Sequence, residues 1–206
     1  MTGYGQTPTP PEPWDGVVSI EVWSFDDRII HRDQSAEERL LREAQYVLSG
    51  MIYGWEFVYT PADPNRNVQR YFELTPLGTI PWGDPRLTVR SVHDEYSRLY
   101  GLIDYRPSQI DRRRRGAWSG SDVDTAAGVG TAPLQDGFLG KQEAIHGAIR
   151  NAVREYLRRR RLNRPREAIG SLILQEAPRI RTVDGMYEAR VSVFLRIERV
   201  RDYVTF

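Results

Sequence analysis

The 206-residue chain predicts an α+β protein, with two amphipathic helices packed on mainly antiparallel sheet. Two helical stripes, one after Ser35 and one after Lys141, are each followed by short runs that alternate apolar and polar residues. Loops rich in turn residues separate most of those runs, which favours hairpins over parallel crossovers. With 40% hydrophobic and 28% charged residues, the chain can bury a core without disulfides or metal staples. No stretch approaches the ~20 apolar residues of a membrane span.

Each element has a local reason. Val18, Ile20, Val22 and Ser24 alternate against Val17, Ser19, Glu21, Trp23 and Phe25, which predicts a strand over 17–25. Ser35 with Glu38 forms a capping box that starts a helix. Leu40, Leu41, Ala44, Val47, Leu48, Met51 and Ile52 form its apolar face. Glu37, Arg39, Arg42 and Glu43 sit off that face, and Gly50 and Gly54 mark the helix end. Trp55, Phe57 and Tyr59 share one face of a strand, and a turn-rich loop leads to a second strand over 68–74. Residues 87–105 hold one long strand or two, broken near 93–97.

Residues 107–140 contain the arginine run 112–115, six glycines and few large aliphatics, so they predict a long surface loop or linker. A second helix follows over 141–161, with Ala144, Ile145, Ala148, Ile149, Ala152, Val153, Tyr156 and Leu157 on one stripe. Its alanines let it lie close to a sheet. Arg158, Arg159, Arg160 and Arg161 fall where the helix dipole favours cations, and Pro165 stops the helix. Residues 169–175 predict a short apolar strand, and Asp184-Gly185 predicts a hairpin turn before a long final strand. The chain thus divides into a tail over 1–13, a β-α-β-β-β unit over 14–106, a mobile linker or loop over 107–127, and a second α+β unit over 128–206. The shared order of helix then strands would make two similar lobes, a claim of pattern and not of residue identity.

Cysteine is absent, which excludes disulfides, thiolate metal sites and cysteine nucleophiles. Net charge is +1, so nucleic-acid binding by bulk charge is not expected. Lys141 is the only lysine, and the other 28 cations are arginine. That reads either as compositional habit or as arginine used for stacking and bidentate contacts. The histidines show no metal-ligand spacing. Asp26, Asp27, His31 and Asp33 read as a polar turn, and His93-Asp94-Glu95 reads likewise. Gly128-Val129-Gly130 lacks the third glycine of a dinucleotide loop, and no nucleophile elbow occurs. No catalytic constellation is legible, so the expectation is a protein that is not an enzyme and has no cofactor or metal. Candidate binding residues are Arg112, Arg113, Arg114 and Arg115 with Trp118 nearby, and Arg158, Arg159, Arg160 and Arg161. Arginine beside an aromatic suits nucleic acid, while anionic lipid head groups or an acidic protein would use the same cations.

Gly128-Val-Gly-Thr-Ala-Pro, the spacing Ala144, Ala148, Ala152, then Gly170, and Asp184-Gly-Met-Tyr-Glu-Ala-Arg-Val-Ser-Val together resemble the α+β modules of flagellar assembly protein T and related small bacterial envelope lipoproteins. The resemblance covers about residues 126–200. The chain departs from it by lacking a lipobox cysteine and by its arginine-rich helix end. The resemblance implies a non-catalytic structural or protein-binding role in the periplasm or cell envelope, with an envelope protein as partner. Residues 1–13, rich in Pro, Thr and Gly with no apolar stretch of a signal peptide, read as an extended tether that suits an exported protein or the end of a cytoplasmic one. The alternative function is an arginine-mediated nucleic-acid-binding protein.

Overall fold

The computed structural model describes residues 14, 16–25, 35–160 and 166–202. The expected tail over 1–13, the cluster around His31, and Arg161 lie outside the described residues. Nine strands and three α-helices alternate along the described chain: β1 (Val18–Phe25), α1 (Ala36–Ile52), β2 (Trp55–Thr60), β3 (Tyr71–Pro76), β4 (Leu87–Glu95), β5 (Arg98–Tyr105), α2 (Gln109–Gly116), β6 (Asp124–Pro133), α3 (Gly137–Arg159), β7 (Arg166–Leu174), β8 (Arg179–Val183) and β9 (Met186–Asp202). The fold is α+β, as its sequence pattern predicts.

All strand pairings are antiparallel. A three-stranded sheet runs β1-β5-β4, and a six-stranded sheet runs β3-β2-β7-β9-β6, with β8 also on β9. Two lobes divided near residue 107 do not describe this arrangement. Strands β2 and β3 come from the first half of the chain, yet β2 pairs with β7 from Trp55↔Leu172 to Tyr59↔Ala168. That pairing sets Trp55, Phe57 and Tyr59 beside Leu172, Gly170 and Ala168 on one face of the six-stranded sheet.

Helix α1 begins with the predicted capping box, Ser35 and Glu38 bonding each other's backbone. Gly54, at φ 66°, turns the chain out of α1 into β2. Leu40, Ala44, Leu48 and Ile52 are fully buried, and α1 packs against β1 and β5 of one sheet and β7 of the other. Each leucine contributes about 1.5–3 kcal/mol of burial, so α1 ties the two sheets into one core. Helix α3 lies across β6 and β9. Ala144, Ala148 and Ala152 are fully buried, as their stripe predicts. Gly128 and Gly130 lie mid-strand in β6, where a Cβ would strike the α3 backbone at Ala144, Ala148 and Ala152. This glycine pair is therefore a helix–sheet contact and not a phosphate loop.

The expected mobile linker over 107–127 is instead ordered structure. Ser108 caps α2, and Asp111 completes a capping box that the run of arginines conceals. Buried Asp111 also accepts from Tyr105 and Arg86. Burial opposes its ionisation, but the Ser108 and Tyr105 hydrogen bonds and the Arg86 charge outweigh it and hold the carboxyl below its ordinary value. The break within 87–105 is a turn at Tyr96 and Ser97, both at positive φ, so β4 and β5 form a hairpin. The second strand of the β2–β3 pair starts at Tyr71 and not Val68, because Val68 bridges back to Asp63 across a short turn.

The close β6–α3 contact makes a direct test. Gly130→Ala should destabilise the protein by about 3 kcal/mol, because the helix backbone cannot yield, and Ala148→Leu by about 1–3 kcal/mol. Gly116→Ala, where a Cβ meets nothing within 4 Å, should be neutral or slightly stabilising. Urea-unfolding midpoints of the three variants measure this order.

Candidate functional site

A cleft of about 550 Å³ opens where the two sheets fail to join. One wall is β1 from Val18 to Trp23, the other is residues 175–180, and Glu43, Val47 and Met51 of α1 form the floor. Among the described residues β1 pairs only with β5, and β8 pairs only with β9, so both walls are sheet edges.

The far wall exists because β7 and β8 follow the same edge of β9 with a bulge between them. Leu174 pairs with Val193 and Arg179 with Arg190, so four residues oppose two. Only Gln175 keeps a β9 bond, its N–H donating to the Ser192 carbonyl at 2.8 Å. Pro178 has no N–H to offer, and the chain swings out.

Arg115 holds that bulge in place. Its guanidinium is buried and donates to the Met51 carbonyl at 3.1 Å, the Leu174 carbonyl at 2.6 Å and the Gln175 carbonyl. It also sits over the rings of Trp14 and Phe194. No carboxylate among the described residues pairs with it. Burial pushes its pKa down to about 10, so it stays protonated at neutral pH.

Below the cleft lies the chain's only lysine. Lys141 reaches from α3 to Glu43 on α1, with Nζ 2.7 Å from Oε2 and 2.9 Å from Oε1. Nζ also donates to the Trp23 carbonyl and stands 3.8 Å from the centre of the Trp23 ring. Arg98 covers the same ring at 4.4 Å and bonds Thr182, while Trp23 Nε1 donates to the Ile180 carbonyl at 3.3 Å. Side chains, not strand pairing, thus close this end of the gap. Burial pushes the Glu43 carboxyl up against the pull of Lys141, and pushes Lys141 down against the pull of Glu43. At the cleft mouth Glu21 and Glu176 are exposed and have no ion-pair partner among the described residues.

The predicted binding residues are scattered. Arg115 is buried, which removes it from any surface patch. Arg112 bonds the Pro107 carbonyl, Arg113 is exposed, and Arg114 stacks over Tyr53. Trp118 is buried with Val123, Ile173 and Phe194 under the guanidinium of Arg196, so it offers no face to a base. Arg158 pairs with Glu155, Arg160 pairs with Asp124, and Arg159 is exposed. Of the histidines, His93 stacks on Tyr100 and His146 packs against Tyr46 and Trp55. The cleft residues lay unmarked in the sequence. Glu43 falls off the apolar face that the sequence predicts for its helix but is buried. A signal was present at Lys141, which stands four residues before Ile145 and seven before Ala148, on the buried stripe. Among the described residues no helix is long and apolar enough to cross a membrane.

A protein-family model matches residues 10–203, and the chain belongs to that family. It is similar to a protein of Treponema pallidum (strain Nichols) described as an uncharacterized protein, 28% identical over 200 residues that span 92% of this chain and 83% of the relative. No solved structure matches.

Two sets of substitutions test the site's construction. Arg115→Ala leaves three carbonyls without their donor and should cost at least about 3 kcal/mol, whereas Arg113→Ser should change stability by less than about 0.5 kcal/mol. Lys141→Met strands a buried carboxylate and should cost about 3–5 kcal/mol. The double variant Glu43→Gln, Lys141→Met should recover most of that loss, and a double-mutant cycle of unfolding free energies reads the coupling.

Proposed function

We propose that this chain is a non-catalytic protein-binding module that seats part of a partner protein in the cleft between β1 and the 175–178 bulge. The observation that carries this reading is the pair of facing sheet edges held apart over an apolar floor. A wide gap of this kind costs backbone hydrogen bonds in the free protein, and an occupant restores them. The floor of the cleft supports a non-catalytic role. Glu43 is its only titratable side chain, and Lys141 engages both of its oxygens. The envelope setting is supported by the resemblance of residues 126–200 to envelope modules, and a bacterial one by the relative in Treponema pallidum.

A photo-cross-linking amino acid at Ala177, on the cleft wall, tests the reading in the native cell. It should give an adduct of one discrete mass that is lost when Glu21→Lys and Met51→Lys alter the opposite wall and the floor. The same probe at exposed Arg154 on α3 should give none. Absence of an adduct at Ala177, or equal adducts at both positions, would sink the proposal. The nucleic-acid alternative predicts tight, salt-sensitive binding. With Arg115 and Trp118 buried, titration with single-stranded RNA near 150 mM salt should show affinity no better than about 10⁻⁴ M.

A further inference from the structure

Resting on the cleft as a protein-binding site, we infer that its occupant is an extended polypeptide segment that adds as a strand to the free edge of β1 and alternates apolar with basic side chains. The direction of the β1 backbone sets the first part. Residues of an antiparallel strand send their N–H and C=O groups to one side and then the other in alternation. Lys141 Nζ bonds the Trp23 carbonyl from the side away from β5, so Ser19 and Glu21, two and four residues earlier, present their N–H and C=O to the cleft as well. Val18, Ile20 and Val22 turn theirs toward Tyr105, Ile103 and Gly101 of β5. The free edge therefore offers the backbone of Ser19 and Glu21 and ends at Trp23, where the lysine occupies the next acceptor.

Opposite the edge, Pro178 and the bulge prevent the far wall from pairing in the same way. An added strand bonds β1 alone and packs against the bulge by side chains.

Strand geometry then dictates the occupant's composition, because residues paired across two strands lie on the same face. Partners of Ile20 and Val22 point to the α1 side, where Val47 and Met51 form an apolar floor. Partners of Ser19 and Glu21 point to the outer face. There, among the described residues, Glu21 stands without an ion pair, and the far wall adds unpaired Glu176 beside exposed Arg179, whose register partner is Arg190, so two carboxylates stand against one cation around the cleft. A basic side chain on that face meets both charges. An acidic one meets repulsion from both.

The probe is a capped nonapeptide alternating valine and lysine, labelled for fluorescence anisotropy and titrated against the full chain. It should bind saturably at peptide concentrations below about 1 mM. The valine–glutamate counterpart should bind at least about 10-fold more weakly, and Glu21→Lys should weaken the lysine peptide by about 5- to 10-fold. N-methylation of the peptide amides that face β1 should abolish binding without any change to the protein. Lack of saturable binding, or indifference to N-methylation, overturns the strand-addition proposal. Equal binding of the two peptides overturns the basic-segment proposal. In either case, loss of the cross-linked native partner on altering the cleft would still support the cleft as the binding site, so the two failures are distinguishable.

Discussion

A helix end and an interrupted strand meet at Arg115, and the arrangement around them depends on the two terminal nitrogens of its guanidinium. Helix α1 stops at Ile52 and leaves carbonyls without intrahelical partners, while β7 stops at Leu174 and releases carbonyls from the β9 ladder. The Met51 and Leu174 carbonyls are buried, and that of Gln175 is partly so. One planar guanidinium satisfies three of them, from Met51, Leu174 and Gln175. A lysine has too compact a head to fork in this way. The bulge that shapes the cleft is thus supported from behind by a residue of α2, and α2 in turn is held by the Asp111 network to Tyr105 and Arg86.

The same logic explains much of the arginine-rich composition. Arg86 grips Asp84 through two nitrogens and Asp111 through a third. Arg98 and Arg196 lie over Trp23 and Trp118. These are planar, bidentate or stacked contacts, and they lie within the molecule. Many of the described arginines hold aromatic residues or carboxylates, among them Arg114 of the first predicted cluster and Arg158 and Arg160 of the second. The single lysine stands where a point charge suffices, on one carboxylate and one carbonyl.

The two free carboxylates at the cleft contrast with that economy. Some acids on the sheets have arginine partners, as Glu188 has Arg181 and Arg190 and Asp104 has Arg90. Glu21 and Glu176 border the cleft where the edges of β1 and β8 stand unpaired among the described residues. Backbone geometry and charge therefore point to the same occupant.

The sequence by itself determined the local structure. Ser35 and Glu38 capped α1, Asp184-Gly185 turned the β8–β9 hairpin, and the alanine stripe named the buried face of α3. Each depends on neighbours a few residues away, so periodicity and turn chemistry reveal it. Helix α2 escaped notice because four arginines hid a capping box, and the β4–β5 turn because Tyr96 and Ser97 are unusual at positive φ. The candidate site was scarcely legible. Glu43 and Lys141 lie 98 residues apart, and Arg115 bonds carbonyls 59 and 64 residues away. Backbone carbonyls carry no sequence label, and whether an arginine is surface or core follows from what packs over it. Only the tertiary structure decided that β2 would cross to β7, that the sheets would part between β1 and β8, and that the arginine expected at a binding surface would instead brace the wall of the cleft.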